Sequence, residues 1–187
     1  QYFSQIFIFT IDDQFSIAVD ANGKAHITYS SRNGLKYVTN KSGAWIAETI
    51  DSSAAYDTRA SLSLIENSQP IAFYYDSGTG GGLMYSVRTD AGWVRQTVDE
   101  GWLDKSFLHS TSMRVDAAGK AYVAAASYVG ALYITNRSGF WEKSLVKPPR
   151  NYGEGEAYVS MQLDSNGTPY ISFLNELSND LQLAKMR

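Results

Sequence analysis

Cysteine is missing altogether from these 187 residues. Disulfides, a thiolate zinc site and a cysteine nucleophile are therefore excluded, and with them the disulfide-stapled kind of secreted eukaryotic domain. Histidine is nearly missing as well. His26 and His109 have no third residue at metal-ligand spacing, so no metal and no other cofactor is expected. Proline occurs four times and never heads a helical pattern. No apolar run approaches the ~20 residues that span a bilayer as a helix, so membrane insertion is not expected. Charged residues make up only 19% and the net charge is -3, which does not suit a phosphate backbone and argues against a nucleic-acid partner. The chain starts on Gln1, and the expectation drawn from that is a removed export signal or the remainder of a longer protein.

What is present is β-forming. Thirteen Tyr, four Trp and fifteen Gly suit a strand-rich chain with many tight turns, and 44% hydrophobic residues suffice for a core. The residues also repeat. Trp45, Trp93 and Trp141 fall 48 residues apart, each eight residues after a Tyr: Tyr37, Tyr85 and Tyr133. A second signature lies upstream. Ser16-Ile17-Ala18-Val19-Asp20-Ala21-Asn22-Gly23 returns as Ser112-Met113-Arg114-Val115-Asp116-Ala117-Ala118-Gly119 and as Ser160-Met161-Gln162-Leu163-Asp164-Ser165-Asn166-Gly167. The remaining copy, Ser61-Leu62-Ser63-Leu64-Ile65-Glu66-Asn67, is displaced by three residues, and a longer loop from Asp76 to Gly82 restores the phase.

Within each copy apolar residues alternate with period two, the strand signal. Four strands per copy, A to D, are separated by Gly-containing turns, which is the blade unit of a β-propeller. The expected fold is all-β: a four-bladed β-propeller, one domain over 1–187, with blades at about 16–51, 61–99, 112–147 and 160–187. The tags Thr49-Ile50-Asp51 and Thr97-Val98-Asp99 close strand D, and the same tag stands at Thr10-Ile11-Asp12. Ile6–Asp12 is therefore expected to complete the last blade, so that a monomer closes the ring. The alternative is part of a larger propeller, with paired chains if the ring is larger.

The pattern Ser-apolar-x-apolar-Asp-x-x-Gly, then Tyr, then Gly-x-Trp resembles the blades of bacterial propellers in the broad sialidase-like (BNR, or Asp-box) group. The resemblance covers almost the whole chain and implies a fold more than a substrate. The Asp-box turn itself is altered: Lys41 and Arg137 stand where its Asp belongs. The arginine triad and Tyr nucleophile of sialidases span six blades and are not carried over.

Residues repeated in every blade are explained by the blade. The A–B and C–D turns form one face and look nearly uniform, so function is sought on the other face, in the D–A connections and B–C turns. There the copies differ. Candidate ligand-binding residues are Asp57, Arg59, Trp102, Asp104, His109, Tyr128, Arg150, Tyr152, Asn175 and Glu176. Aromatic rings stack on sugar C–H surfaces, and charged groups take hydroxyls or amides. Arg114 and Gln162 are candidate channel-lining residues, since strand A lines the centre of a propeller; a hydrogen-bonded pair is the plainer reading. Sequons at Asn40, Asn136 and Asn166 follow from turn chemistry.

No catalytic constellation is legible. The favoured reading is a non-catalytic module, extracellular, periplasmic or on a cell surface, that binds carbohydrate or protein. The alternatives are a glycoside hydrolase or lyase using Asp57, Asp104, Glu154 or Glu156, and a scaffold domain of a larger assembly.

Overall fold

The computed structural model describes residues 15–54, 58–76, 82–99, 108–127, 130–147, 156–175 and 180–186. The protein is all-β, and its four antiparallel sheets are arranged as the four blades of a β-propeller. The first blade is β1 (Phe15–Val19), β2 (Ala25–Ser31), β3 (Gly34–Thr39) and β4 (Ile46–Asp51). The second is β5 (Ala60–Ile65), β6 (Gln69–Asp76), β7 (Gly82–Thr89) and β8 (Gly92–Asp99). The third is β9 (Leu108–Val115), β10 (Ala121–Ser127), β11 (Gly130–Thr135) and β12 (Glu142–Lys147). The last has β13 (Glu156–Leu163), β14 (Pro169–Asn175) and β15 (Asp180–Lys185) among the described residues. Ile6–Asp12, expected to complete it, lies outside the described residues.

Each blade is an antiparallel meander whose turns follow from named side chains. Asp20 Oδ1 accepts the N–H groups of Asn22 and Lys24 at 2.9 and 2.8 Å. Asp116 and Asp164 do the same in the third and fourth blades. The repeated Asp is thus a turn former. Asn40 and Asn136, at the C–D turns, accept the N–H of Ala25 and Ala121 at 2.8 Å and so anchor each turn to strand B. Glycine is required at the B–C turn. A Cβ on Gly34 would lie 2.0 Å from the Asp51 carbonyl oxygen, where β4 bulges against β3, and Gly34 itself has φ 94°.

The second blade departs from this scheme. Its A–B turn is a 3-10 turn over Glu66–Ser68, with Ser68 at φ 58°, in place of Asp-x-x-Gly. The spacing across that turn is unchanged, since Ser61 pairs with Phe73 as Ser16 pairs with Thr28. The three-residue displacement comes from the shorter connection between Asp51 and β5, and the longer B–C connection restores the phase.

The repeated Ser, Tyr and Trp hold the blades to one another. Ser16 Oγ accepts the Leu62 N–H at 3.0 Å, and Ser112 Oγ accepts that of Met161 at 3.1 Å, so β1 is pinned to β5 and β9 to β13. Tyr37 meets Trp93 edge-on with centroids 5.2 Å apart, and Tyr85 meets Trp141 the same way at 5.1 Å. Such pairs add about 0.5–1.5 kcal/mol beyond the area they bury. The core lies between blades: Leu35, Tyr37, Leu62 and Tyr74 at the first junction, Phe73, Leu83, Met113 and Val123 at the second, and Tyr122, Met161, Ile171 and Phe173 at the third.

The Asp that ends the fourth strand of the first and second blades is also a junction residue. Asp51, whose side chain is buried, takes Arg95 Nη1 of the second blade at 2.6 Å and the Tyr74 hydroxyl at 2.8 Å. Its counterpart Asp99 pairs with Lys143 of the third blade. Burial pushes the Asp51 carboxyl up, but the hydrogen bonds from Arg95, Ser53 and Tyr74 outweigh it and hold the pKa at about 2.

Candidate functional site

Most of the variable loop face falls on residues that are not described: Asp57, Trp102, Asp104, Tyr128, Arg150, Tyr152 and Glu176 lie outside the described residues, as does Glu154. Of the others, Arg59 and His109 come together, the Arg59 guanidinium donating to the His109 backbone carbonyl across the junction between β5 and β9. Asn175 ends β14 in register with Glu156 and Asp180. Of the two candidate channel-lining residues, Arg114 Nε donates to Gln162 Oε1 at 2.9 Å, and Arg114 Nη1 donates to the Met113 carbonyl at 2.7 Å. Each of these described arginines thus spends a donor on joining neighbouring blades. Among the described residues no group of three metal-ligating side chains is gathered.

The cleft lies on the opposite face. Between the first and second blades the A–B and C–D turns leave an open hollow of about 590 Å³. Tyr37, Thr39, Lys41 and Glu48 line it from the first blade, and Glu66, Gln69, Pro70, Arg88, Thr89 and Asp90 from the second. This is where the second blade breaks the repeat. Its 3-10 turn replaces the Asp-organised hairpin, and Arg88 occupies the C–D turn position that Asn40 and Asn136 hold elsewhere. The face that looks uniform in the sequence is therefore not uniform. One copy in four lacks both turn formers, and that absence is the signal that could have found the cleft.

Arg88 is fixed from two sides. Its Nε and Nη2 meet Glu48 Oε2 and Oε1 at 2.5 and 3.0 Å, a two-point fork. A third guanidinium nitrogen donates to the Thr89 carbonyl. The Arg88 carbonyl accepts Gln69 Nε2 at 2.7 Å. Glu48 takes a further bond from Trp93 Nε1 at 3.0 Å. Arg88 beside Glu48 holds that carboxyl below the usual glutamate range, against the burial that would raise it. Both side chains of the fork remain about 30% exposed, 30% for Arg88 and 29% for Glu48, so the pair is preorganised and still reachable from the cleft.

Beneath the fork lies a buried polar column. The Tyr37 hydroxyl and His26 Nδ1 are 2.5 Å apart, and His26 Nε2 stands 3.7 Å from Asp20 Oδ2. Burial pushes the His26 pKa down, against the pull of Asp20, so the ring is neutral at pH 7. Burial pushes the Tyr37 hydroxyl up. Tyr37 is thus held in place on its far side by His26, with its ring braced on Trp93.

No protein-family model matches the chain, and no curated protein matches it in sequence. Solved structures match it in fold. AofleA from Arthrobotrys oligospora superposes with a TM-score of 0.69 at 16% identity, over 92% of this chain and 52% of that one. The α-L-arabinanase of Penicillium chrysogenum, complexed with arabinobiose, gives 0.60 at 9% identity, over 91% and 62%. The intramolecular trans-sialidase of Ruminococcus gnavus, in complex with oseltamivir carboxylate, gives 0.52 at 12% identity, over 91% and 40%. The chain spans about half the length of AofleA. At these identities the likeness is one of fold, and it agrees with the broad propeller resemblance of the repeats.

Proposed function

We propose that this chain is a carbohydrate-recognition module that binds without catalysing, with the cleft between the first two blades as a ligand site. The observation that carries the reading is the Arg88–Glu48 fork at an open, polar cleft. A sugar offers adjacent hydroxyls, each a donor and an acceptor. A fixed guanidinium edge supplies donors and the neighbouring carboxylate supplies acceptors. The hollow falls within the usual size range of small-ligand sites, about 300–1,000 Å³, and takes one or two rings. The arabinanase and the trans-sialidase act on saccharides by name and share the fold, which supports the ligand class.

Binding is favoured over catalysis because of how Glu48 is held. A glycosidase acid needs a raised pKa to deliver a proton near neutrality. Arg88 drives Glu48 the other way. The loop face of Trp102, Asp104, His109 and Arg59 stays as a second proposed contact surface, and an extracellular or cell-surface location belongs to the same reading. A glycan array probed with the folded protein tests it, with Arg88→Ala and Trp102→Ala alongside. The expected outcome is a defined saccharide class bound by the wild type and lost in Arg88→Ala. No saccharide bound, or one bound equally well by Arg88→Ala, contradicts the cleft.

A further inference from the structure

Among the described residues, the two end blades each present an exposed apolar sheet face, and the repeat shows what those faces are built to meet. Ile17 of β1 is 59% exposed. Its counterparts in the later blades, Leu62, Met113 and Met161, are 5%, 1% and 1% exposed, because each is covered by the blade before it. Phe15 and Val19, on the same face of β1, are exposed too. At the other end, Leu183 of β15 is 70% exposed and Leu181 is 77% exposed. Leu183 stands opposite Ser172 on β14 as Tyr37 stands opposite Thr28 on β2, and Tyr37 is covered by the blade after it. Leu181 matches Leu35, which is fully buried. Tyr158 is exposed beside them. Apolar faces of this kind on a folded chain mark an interface.

We propose that a second copy of this chain covers both faces at once, head to tail, so that two copies form one ring. The interface needs no new chemistry, since it continues the junctions already present between β1 and β5, β5 and β9, and β9 and β13. The first-blade face fits a last-blade face by construction of the repeat, and each copy carries one of each. Such a contact joins unlike surfaces, and two of them close a two-fold ring. At the new junction Ser160 takes the role of Ser16 and Ser112, accepting the backbone N–H of the partner's Ile17. The partner's Trp45 lies on Leu183 as Trp93 lies on Tyr37. The inference does not rest on the ligand reading, since neither face contains the cleft residues.

Sedimentation equilibrium of the 187-residue chain tests it. The expected result is a species of twice the 20.7 kDa chain mass. A monomer at every concentration overturns the proposal, whether the faces then meet each other or take further blades of a longer chain. Ile17→Glu and Leu183→Glu separate head-to-tail from face-to-same-face pairing. Both side chains are exposed in a single chain, so each variant should keep the wild-type circular dichroism and unfold cooperatively. Each alone is expected at the single-chain mass, while their equimolar mixture returns to the double mass, because one junction of the mixed pair is then free of substitutions. Variants that keep the double mass on their own, or a mixture that stays at the single mass, overturn the arrangement.

Discussion

At the junction of the first two blades Trp93 rests on Tyr37, and its indole N–H donates to Glu48. At the next junction Trp141 rests on Tyr85 and donates to Gln96 at 3.4 Å. The two share a frame: the same T-shaped ring pair, the same Asp at the end of strand D, and a cation on the next blade's strand D to meet it. They differ in what is added. The first junction has Glu48 where the second has Gln96, and Arg88 where the corresponding C–D turn of the third blade has Asn136. Those two changes turn a packed seam into a charged cleft. The frame belongs to stability and the additions to function, and each half of that statement can be broken separately.

The largest effect is expected in the frame. Phe73, fully buried at the second junction, packs with Trp141. Phe73→Ala should destabilise the protein by about 3–5 kcal/mol, read from urea denaturation. Ile17→Ala made in the Leu183→Glu chain, which is expected to stay single, should change stability by less than about 0.5 kcal/mol. Equal losses at the two positions would mean that the end face is covered within one chain.

Next in size is the Asp51 pair. Its carboxyl has a folded pKa of about 2 against an ordinary value of 3.8. A depressed pKa stabilises the fold above the unfolded value, and that contribution is lost as pH falls through 3.8 toward 2. The shift corresponds to at most about 2 kcal/mol at pH 7, and Asp51→Asn should remove that amount there and little near pH 2. A cost for Asp51→Asn that does not change between pH 7 and pH 2 would remove the ion pair from the account.

Arg88→Ala should move affinity more than stability. We expect at least a tenfold loss of saccharide affinity, ~1.4 kcal/mol, with unfolding free energy changed by less than about 1 kcal/mol. Calorimetric titration and thermal unfolding of the same samples separate the two. A smaller effect than the loss of affinity in Arg88→Ala belongs to Asn136→Ala. It strands the Ala121 N–H at a turn and should cost about 1 kcal/mol with no effect on binding.

The repeat made the fold legible. Tyr and Trp recur at fixed spacing because they are partners across a junction, and one partner cannot shift without the other. Ser16 and Ser112 recur because each pins the first strand of the next blade. The site was less legible for the same reason. Reading repeated positions as structural was sound for Asp20, Asp116 and Asp164, which organise turns. It directed attention to the loops around Trp102 and away from Arg88, although Arg88 is itself a departure from the repeat. Glu48 could not be singled out by position alone. Its counterparts Gln96 and Ser144 differ from it, and only the facing blade shows that Glu48 meets Arg88 and Trp93. A pairing across two blades, 40 residues apart in the chain, has no local sequence signature.

The most direct test of the cleft follows the Trp93 indole N–H by two-dimensional NMR while a saccharide identified on the array is added. That proton is bonded to Glu48, so a ligand engaging the Arg88–Glu48 fork should shift it progressively, in step with the binding curve, and the shift should vanish in Arg88→Ala. A saccharide that binds with the Trp93 signal unmoved would place the site elsewhere on the propeller.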